Sequence, residues 1–372
     1  MRITLVISSL WGGGAERWTC LLANSWAEQG KEVTLLTISH GAERSYPVHP
    51  AVKVRNLGLL AVANGFFNGL SNNVWRIRVL HRAIRDSRPD IVISIMDQTN
   101  ILTLLATRTL RAPVIVCEAT DPSQHDISPV WRGLRRLTYG FADTLLCPTS
   151  SGLEWFRARI KVRTCAIPCL FALPADAPNG DRQHSGNAAP RTLVSMGRLV
   201  RQKGFDLLLQ AFSQVAGRHP EWALTILGEG PLKNSLQNQV EECHLLERVH
   251  FAGSRRDPFP ALRAADLFVF SSRSEAFGMA LAEAMACGLP VVSFDCPFGP
   301  RDIIRDGVDG ILVPPGDVSA LAAALHRLMG DDQERARLAA RAPEVVKRFS
   351  RERIMSQWQE LFDRLLTRQN VA

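Results

Sequence analysis

Two carboxylates eight positions apart, Glu275 and Glu283, interrupt an otherwise small and apolar run, SSRSEAFGMALAEAMACGLP, from Ser271 to Pro290. A buried carboxylate is costly without a partner, and the hydroxyls of a bound ligand would supply one. Solvent would satisfy Glu283 equally, and capping of the following helix would account for Glu275, so spacing alone leaves both readings open. A second pair, Arg198 and Lys203, sits five positions apart in GRLVRQKG, ahead of a helical pattern containing Leu208, Leu209 and Phe212. Cations so placed can converge with the amides of a helix N-terminus on one anion. Near the start of the chain, Gly12, Gly13 and Gly14 form a turn whose backbone amides can approach a phosphate with no side chain intervening.

All three groups lie in turns between a strand and a helix. Leu267 to Phe270 and Val291 to Phe294 read as short buried strands around a helix that Gly278 opens and Gly288 with Pro290 closes. In such a βαβ unit both glutamates stand at the carboxyl end of a parallel sheet, where open α/β folds bind ligands. Thr192 to Met196 is the strand before Arg198, and Trp222 to Leu227 follows it. In the first half, Ile3 to Ser8, Val33 to Ile38, Asp90 to Ile95, Pro113 to Cys117 and Phe141 to Cys147 read as strands. Asp97, just past the third of these, either points into the crevice or caps the next helix. Residues 40 to 72 read as irregular, and a helix is expected from Val74 to Ser87.

A chain of 372 residues exceeds one ordinary core and fits two domains of about 170 to 190 residues. The stretch 173–190, LPADAPNGDRQHSGNAAP, reads as the linker, giving domains at 1–172 and 191–349 and a final amphipathic segment at 350–372. No apolar run approaches the ~20 residues of a membrane span. The opening MRITLVISSLWGGGAER fits a first strand and glycine turn better than a signal peptide, so a cytoplasmic protein is expected. Eight scattered cysteines without paired metal spacing read as reduced thiols.

Charge is uneven. Residues 1–180 hold 20 Lys and Arg against 13 Asp and Glu, so +7 of the net +8 lies in the first half. That excess implies an anionic partner, for which nucleic acid, a membrane surface or a phosphorylated ligand would serve. The segments Trp75 to Arg88 and Trp131 to Arg136 mix basic and apolar residues as interfacial segments do; solvated helix faces would read the same way.

Taken together, FGM after the first glutamate and EAMACGLPVV from the second resemble the retaining glycosyltransferases of family 4. The resemblance implies an α/β fold of the GT-B type: two Rossmann-like domains with parallel sheets facing a central cleft, and a C-terminal helix crossing back to the first domain. The first domain would bind the acceptor and the second the nucleotide sugar. Glu275 would contact donor-sugar hydroxyls and Glu283 the ribose, with the amides of Phe277, Gly278 and Met279 beside the donor phosphates. Arg198 and Lys203 would hold the diphosphate, Gly13 and Gly14 would lie beneath it, and Gly228 would lie near the base. Ile167-Pro168 resembles the segment that closes the first domain, with Cys169 where the family has Asn. Many members keep a His or an acidic residue after the strand ending at Cys117, and His125 and Asp121 are the candidates, with Asp97 as a further acceptor contact. The segment DCPFGPRDII resembles a narrower branch that builds bacterial surface glycans from UDP-hexoses or UDP-hexosamines; there Arg301 would add a diphosphate contact, or instead pair with Asp302 or Asp306.

The implied reaction is retaining transfer from a UDP-sugar co-substrate, with no cofactor. The sequence has no Asp-x-Asp motif, so Arg198 and Lys203 are expected in the place of a metal. The acceptor would be a glycan on a polyprenyl diphosphate at the anionic inner face of the cytoplasmic membrane, with no nucleic acid involved. Leu57 to Leu70, with Phe66 and Phe67, is the candidate acceptor or membrane loop. A UDP-sugar 2-epimerase of the same architecture and a non-catalytic nucleotide-sugar-binding subunit are the alternatives.

Overall fold

The computed structural model describes residues 1–39, 45–59, 66–124, 127–173 and 190–369, with backbone alone at 66–72 and 369. Contacts divide the chain into two units, Met1–Leu170 with Arg351–Ala372, and Phe171–Ser350. Most of the expected linker, 174–189, lies outside the described residues, as do His125 and positions 60–65 of the expected loop.

The first unit is built on seven strands: β1 Arg2–Ile7, β2 Glu32–Thr37, β3 Lys53–Asn56, β4 Ile91–Ile95, β5 Val114–Cys117, β6 Thr144–Cys147 and β7 Thr164–Ala166. All pair in parallel, in the order β3-β2-β1-β4-β5-β6-β7, with Ile3 opposite both Val33 and Ile91. The Ile, Val and Leu-rich runs of the central strands β1, β4 and β5 are what a parallel sheet covered by helices on both faces requires. The order reverses between β1 and β4, which sets the turns after those strands side by side. The last helix, Arg351–Gln369, packs in this unit through a cluster of rings. Trp358 meets Trp26 at 5.3 Å and Trp18 at 6.4 Å, and Phe362 meets Trp26 at 5.5 Å. Lys31 Nζ donates to Gln359 Oε1 at 2.6 Å, and Arg351 pairs with Glu28.

The second unit holds six parallel strands: β8 Arg191–Met196, β9 Trp222–Leu227, β10 Val249–Gly253, β11 Leu267–Phe270, β12 Val291–Phe294 and β13 Ile311–Val313, in the order β10-β9-β8-β11-β12-β13. Helices Phe205–Ala216 and Val318–Gly330 bury Leu208, Phe212, Leu321 and Leu325 in its core. Here the reversal falls between β8 and β11, so the turns carrying Lys203 and Glu275 are neighbours. Among the described residues no helix is long and apolar enough to cross a membrane.

Two expectations need correction. Residues 40–72 are not all irregular, since they contain β3, and the helix expected from Val74 begins at Phe66 and runs to Asp86. β3 is a charged edge strand, KVRN, with a single apolar residue and hence no periodic signal. The early helical turns are rich in Asn and Gly, poor helix formers, but apolar residues at 67 and 70 share the helical spacing of those at 74 and 77.

Candidate active site

In the first unit, the glycine turn follows β1. Gly12 takes φ +68 and donates its amide to Ser45 Oγ at 2.9 Å, and Gly13 leads into helix Gly14–Glu28. A Cβ on Gly13 would fall 2.1 Å from Glu16 Oε2, so the carboxylate of Glu16 folds back over the turn. After β4, Met96 takes φ +81, a rare backbone for a residue with a side chain, and its N–H donates to Cys117 O at 3.1 Å. Asp97 is buried as the first residue of helix Asp97–Ala106, whose N-cap is Met96 with no side-chain cap bond. Asp121, also buried, closes its own turn, with Oδ1 accepting from Ser123 N at 2.8 Å, Ser123 Oγ at 2.6 Å and Gln124 N at 3.3 Å.

Sequence reasoning missed a buried polar network beside this turn. Asn100 Nδ2 donates to Cys117 O at 3.0 Å and to the Tyr139 hydroxyl at 3.1 Å, and Tyr139 donates to Glu118 Oε1. The buried Arg135 guanidinium stands 4.0 Å from the same oxygen. Burial, with the Glu118 charge, pushes the Tyr139 hydroxyl well above its ordinary pKa, so it remains a proton donor.

In the second unit, four turns at the carboxyl ends of β8, β9, β11 and β12 form the site. Lys203 Nζ donates to Glu275 Oε1 at 2.5 Å, both side chains largely buried. Stitching between the two turns explains the precision of this contact. Gln202 Nε2 donates to Ser274 O at 2.8 Å, Arg273 N to Gln202 O at 2.8 Å, and Ser271 Oγ to Lys203 O at 3.0 Å. Arg273 also clamps Asp206 with bonds of 2.7 and 2.6 Å. Burial alone would raise the Asp206 carboxyl, but the Arg273 guanidinium and the local helix amides outweigh it and hold the carboxyl below its usual value. Neither Arg273 nor Asp206 carried a signal in the sequence beyond its charge.

Glycines let the backbones approach. Gly204, at φ +63, would place a Cβ 2.0 Å from Ser271 O, and Gly228, at φ +153, one 1.9 Å from Gly197 O. Gly299 packs on the carbonyl of Phe277 in the same way, at 2.1 Å. Helix Met279–Ala286 starts at Gly278, φ +107, and its first amides have no partner within the helix. Glu283 in this helix is completely buried, so the solvent-facing reading is wrong, and the Glu275 carboxylate accepts from Lys203 and not from an amide of the helix, so Glu275 does not cap. Arg198 is exposed in the turn after β8. Arg301 is engaged by Asp295, with bonds of 2.9 and 2.6 Å that raise its pKa, and not by Asp302 or Asp306. The structure thus brings Lys203 into contact with Glu275, holds Gly228 and the Phe277–Met279 turn in the adjacent loops, and engages Arg301 with Asp295.

The arrangement, two cations and a helix N-terminus above a parallel sheet with two buried glutamates, suits a nucleoside diphosphate joined to a polyhydroxylated group. Residues 13–170 match the model of the glycosyl transferase 4-like domain, and residues 178–345 match that of the glycosyl transferases group 1. Over 94% of its length the chain is 30% identical to the lipopolysaccharide core biosynthesis glycosyltransferase LpsE of Rhizobium meliloti, covering 95% of that protein. This chain belongs to glycosyltransferase family 4.

Among other relatives of this family 4 transferase is the Campylobacter jejuni enzyme named GalNAc-alpha-(1->4)-GalNAc-alpha-(1->3)-diNAcBac-PP-undecaprenol alpha-1,4-N-acetyl-D-galactosaminyltransferase, 28% identical over 97% of this chain and 98% of the relative. A stretch of 229 residues, 61% of the chain, is 37% identical to the exopolysaccharide phosphotransferase of Streptomyces coelicolor, of whose length it spans only 24%. The crystal structure of a Staphylococcus aureus TarM mutant with fondaparinux, alpha-GlcNAc-glycerol and UDP matches with a TM-score of 0.80 at 14% identity, over 97% of this chain and 99% of that one. Sucrose-phosphate synthase of Thermosynechococcus elongatus gives 0.82 at 21% identity, over 98% and 99%. At these identities the structural likeness establishes the fold, GT-B.

Proposed function

We propose that this glycosyltransferase moves a hexose or N-acetylhexosamine from a UDP-sugar to a lipid-linked glycan in bacterial surface-glycan assembly, with retention of configuration and without a metal ion. The observation that carries the reading is the Lys203–Glu275 contact at the reversal point of the second sheet. As the sugar leaves, positive charge grows on its anomeric carbon and negative charge on the diphosphate, so stabilising the leaving group matters most. An ammonium has three donors, and one spent on Glu275 leaves two for phosphate oxygens. Arg198 supplies the second cation; each at about 4 Å contributes roughly 4 kcal/mol of gross attraction at an effective dielectric near 20. Glu275 then orients sugar hydroxyls beside the lysine, Glu283 holds the ribose, and the amides from Phe277 to Met279 face the phosphates. In retaining transfer from the front face, the departing phosphate oxygen takes the proton of the acceptor hydroxyl as the new bond forms.

Support for UDP comes from the TarM complex, and support for a polyprenyl-linked acceptor from the name of the Campylobacter relative. Such an acceptor puts the enzyme at the inner face of the cytoplasmic membrane. Calorimetry with UDP, GDP and ADP in the presence of a chelator tests the donor reading. Tight binding of UDP alone supports it, preference for GDP or ADP overturns the UDP assignment and leaves the family intact, and no binding removes these residues from the donor site. Turnover that vanishes with chelator and returns with a divalent cation would overturn the metal-free reading.

A further inference from the structure

A cavity of about 450 Å³ lies at the amino ends of β6 and β7, on the edge of the first sheet opposite the turns that carry Gly13, Asp97 and Asp121. Thr144 and Thr164, the first residues of the two strands, line it together with Leu361 and Leu365 of the final helix. Four arginines share the lining: Arg157 at the end of helix Ser150–Arg157, Arg163 just before β7, and Arg364 and Arg368 one turn apart on helix Arg351–Gln369.

Carboxylates clamp many of this chain's arginines, as Asp90 does Arg2, Asp206 does Arg273 and Asp309 does Arg305. Among the described residues none of the four around the cavity is ion-paired, and no carboxylate lines the cavity. Glu360 is near enough for its charge to act on the Cys165 thiol, yet it forms no salt bridge with any of them. Burial pushes that thiol up, against the pull of Arg364 and Arg157, so Cys165 stays neutral and supplies no counter-charge. The helix dipole accounts for Arg157 and Arg368, each in the last turn of its helix, but not for Arg163, which precedes a strand, or for Arg364.

Two of these guanidiniums are already held in place. Arg157 Nε donates to Thr164 Oγ1 at 2.7 Å, and Arg364 Nε donates to Glu360 O at 3.3 Å. Each fork is thereby oriented while terminal N–H groups remain for a ligand, so less freedom is lost when one binds. The side chains of Arg163 and Arg368 have no hydrogen-bond partner among the described residues. Guanidinium forks match phosphate oxygens. A phosphate monoester brings about two negative charges, too few to offset four guanidiniums, and a diphosphate supplies the remainder. The cavity has the size of small-ligand sites, which leaves room for an organic group beside the phosphates. Its apolar lining residues, Val162, Leu361 and Leu365, are buried or half-buried. No bare apolar side chain is therefore offered to an acyl layer, and a soluble ligand suits the cavity better than a lipid headgroup.

We propose that this cavity binds a soluble diphosphate ester at a site separate from the donor site, the phosphates bridging Arg157 and Arg163 at the sheet edge to Arg364 and Arg368 on the final helix. The bound anion ties helix Arg351–Gln369 to β7 and to helix Ser150–Arg157. The site stands or falls independently of the donor reading, since Lys203, Glu275 and Glu283 all belong to the second unit.

The test is calorimetry of the full chain at physiological salt with inorganic diphosphate, inorganic phosphate and sulfate, for the parent and for the double variant Arg163→Gln with Arg368→Gln. Diphosphate is expected to bind the cavity at least about tenfold more tightly than phosphate or sulfate, through the extra charge-assisted bonds. The double variant should weaken that component about 100-fold, tenfold for each arginine, with UDP affinity unchanged. Its melting temperature without ligand should be no lower than the parent's, because two repelling cations are gone. Diphosphate should also slow protease cleavage after Ser350 in the parent but not in the double variant. Diphosphate binding that is the same in the two proteins overturns the proposal, as does phosphate or sulfate binding the cavity as tightly as diphosphate. Phosphatidylglycerol vesicles that bind the parent and not the double variant, with no diphosphate binding lost between the two, give the cavity to a lipid headgroup and overturn the soluble assignment. A parent that shows the diphosphate component but fails to bind UDP sinks the donor reading and leaves this site standing.

Discussion

The ammonium of Lys203 stands 2.5 Å from Oε1 of Glu275, though the two residues are 72 positions apart. They meet because β8 and β11 are neighbours at the point where the strand order reverses, and because Ser271, Arg273 and Gln202 tie the two turns together. Positive and negative charge are thus held side by side where a diphosphate and a sugar would meet.

Lys203→Ala is expected to lower turnover about 10² to 10³-fold, the range for removing one preorganised group that faces developing charge. A loss below tenfold would take Lys203 out of the site. The substitution also leaves Glu275 buried without its cation, so thermal melting must accompany the kinetics, and Lys203→Arg should keep the fold while recovering only part of the rate.

Glu283, fully buried in helix Met279–Ala286, is assigned to the ribose. Glu283→Gln should weaken UDP binding about 10- to 100-fold, as expected for loss of a hydrogen bond to a charged group. A cycle with 2′-deoxy- and 3′-deoxy-UDP sharpens the test. One of the two analogues should bind the parent more weakly than UDP but bind Glu283→Gln about as UDP does. If the two substitutions act additively for both analogues, the carboxylate does not touch the sugar.

Much of the fold is legible in the sequence alone. The buried strands are short runs rich in Ile, Val, Leu and Phe, and the turns after β8 and β11 declare themselves through Gly197, Gly204 and Gly278. Partners across the sheet are less legible. That Arg301 pairs with Asp295, six residues back, and not with Asp302 beside it depends on the bend at Gly299, φ +100, which sequence spacing does not encode. The network of Asn100, Tyr139, Glu118 and Arg135 escaped for a similar reason. Its members come from three segments, and each residue alone resembles an ordinary cap or surface charge.

Stability should also report on the Asp206–Arg273 clamp. The Asp206 carboxyl is depressed in the folded state, so its contribution is complete above the unfolded carboxylate value of about 3.9 and fades as pH falls through the lower folded value. Both side chains remain partly exposed, so Asp206→Asn should cost only about 1 kcal/mol near neutrality. Urea unfolding of the two proteins should show a constant gap above about pH 5 that narrows below about pH 4. A gap that widens on acidification would contradict the assignment.

Gly228→Ala tests the close approach of two site turns. The new methyl would lie 1.9 Å from the carbonyl oxygen of Gly197 at a φ of +153, so steric and conformational costs add to about 3 kcal/mol. Gly307→Ala is the control: φ is +70 there, but a Cβ meets nothing within 4 Å, and about 1 kcal/mol of backbone strain is the whole expectation. Equal losses in melting temperature for the two variants would mean that the turns around Gly228 relax apart.

Trp358 is buried in the first unit between Trp18 and Trp26, with Phe362 one helical turn on. Ties between helix Arg351–Gln369 and helix Gly14–Glu28 with the turn after it also include partly exposed polar pairs, Arg351 with Glu28 and Lys31 with Gln359, and the Lys31 ammonium 5.7 Å from the Phe362 ring centre. Exposed pairs contribute little, so the ring cluster, with the buried Ile354, Met355, Leu361 and Leu365 of the same helix, carries most of its attachment. Trp358→Ala should therefore cost about 3 to 5 kcal/mol and make the segment after Ser350 the first site of proteolysis, whereas Arg351→Ala should cost less than about 1 kcal/mol. UDP binding by the second unit is expected to survive Trp358→Ala, because every residue assigned to the nucleotide phosphates there lies outside that cluster. Should the tryptophan variant melt with the parent and resist protease equally, the final helix would be held by something other than these rings.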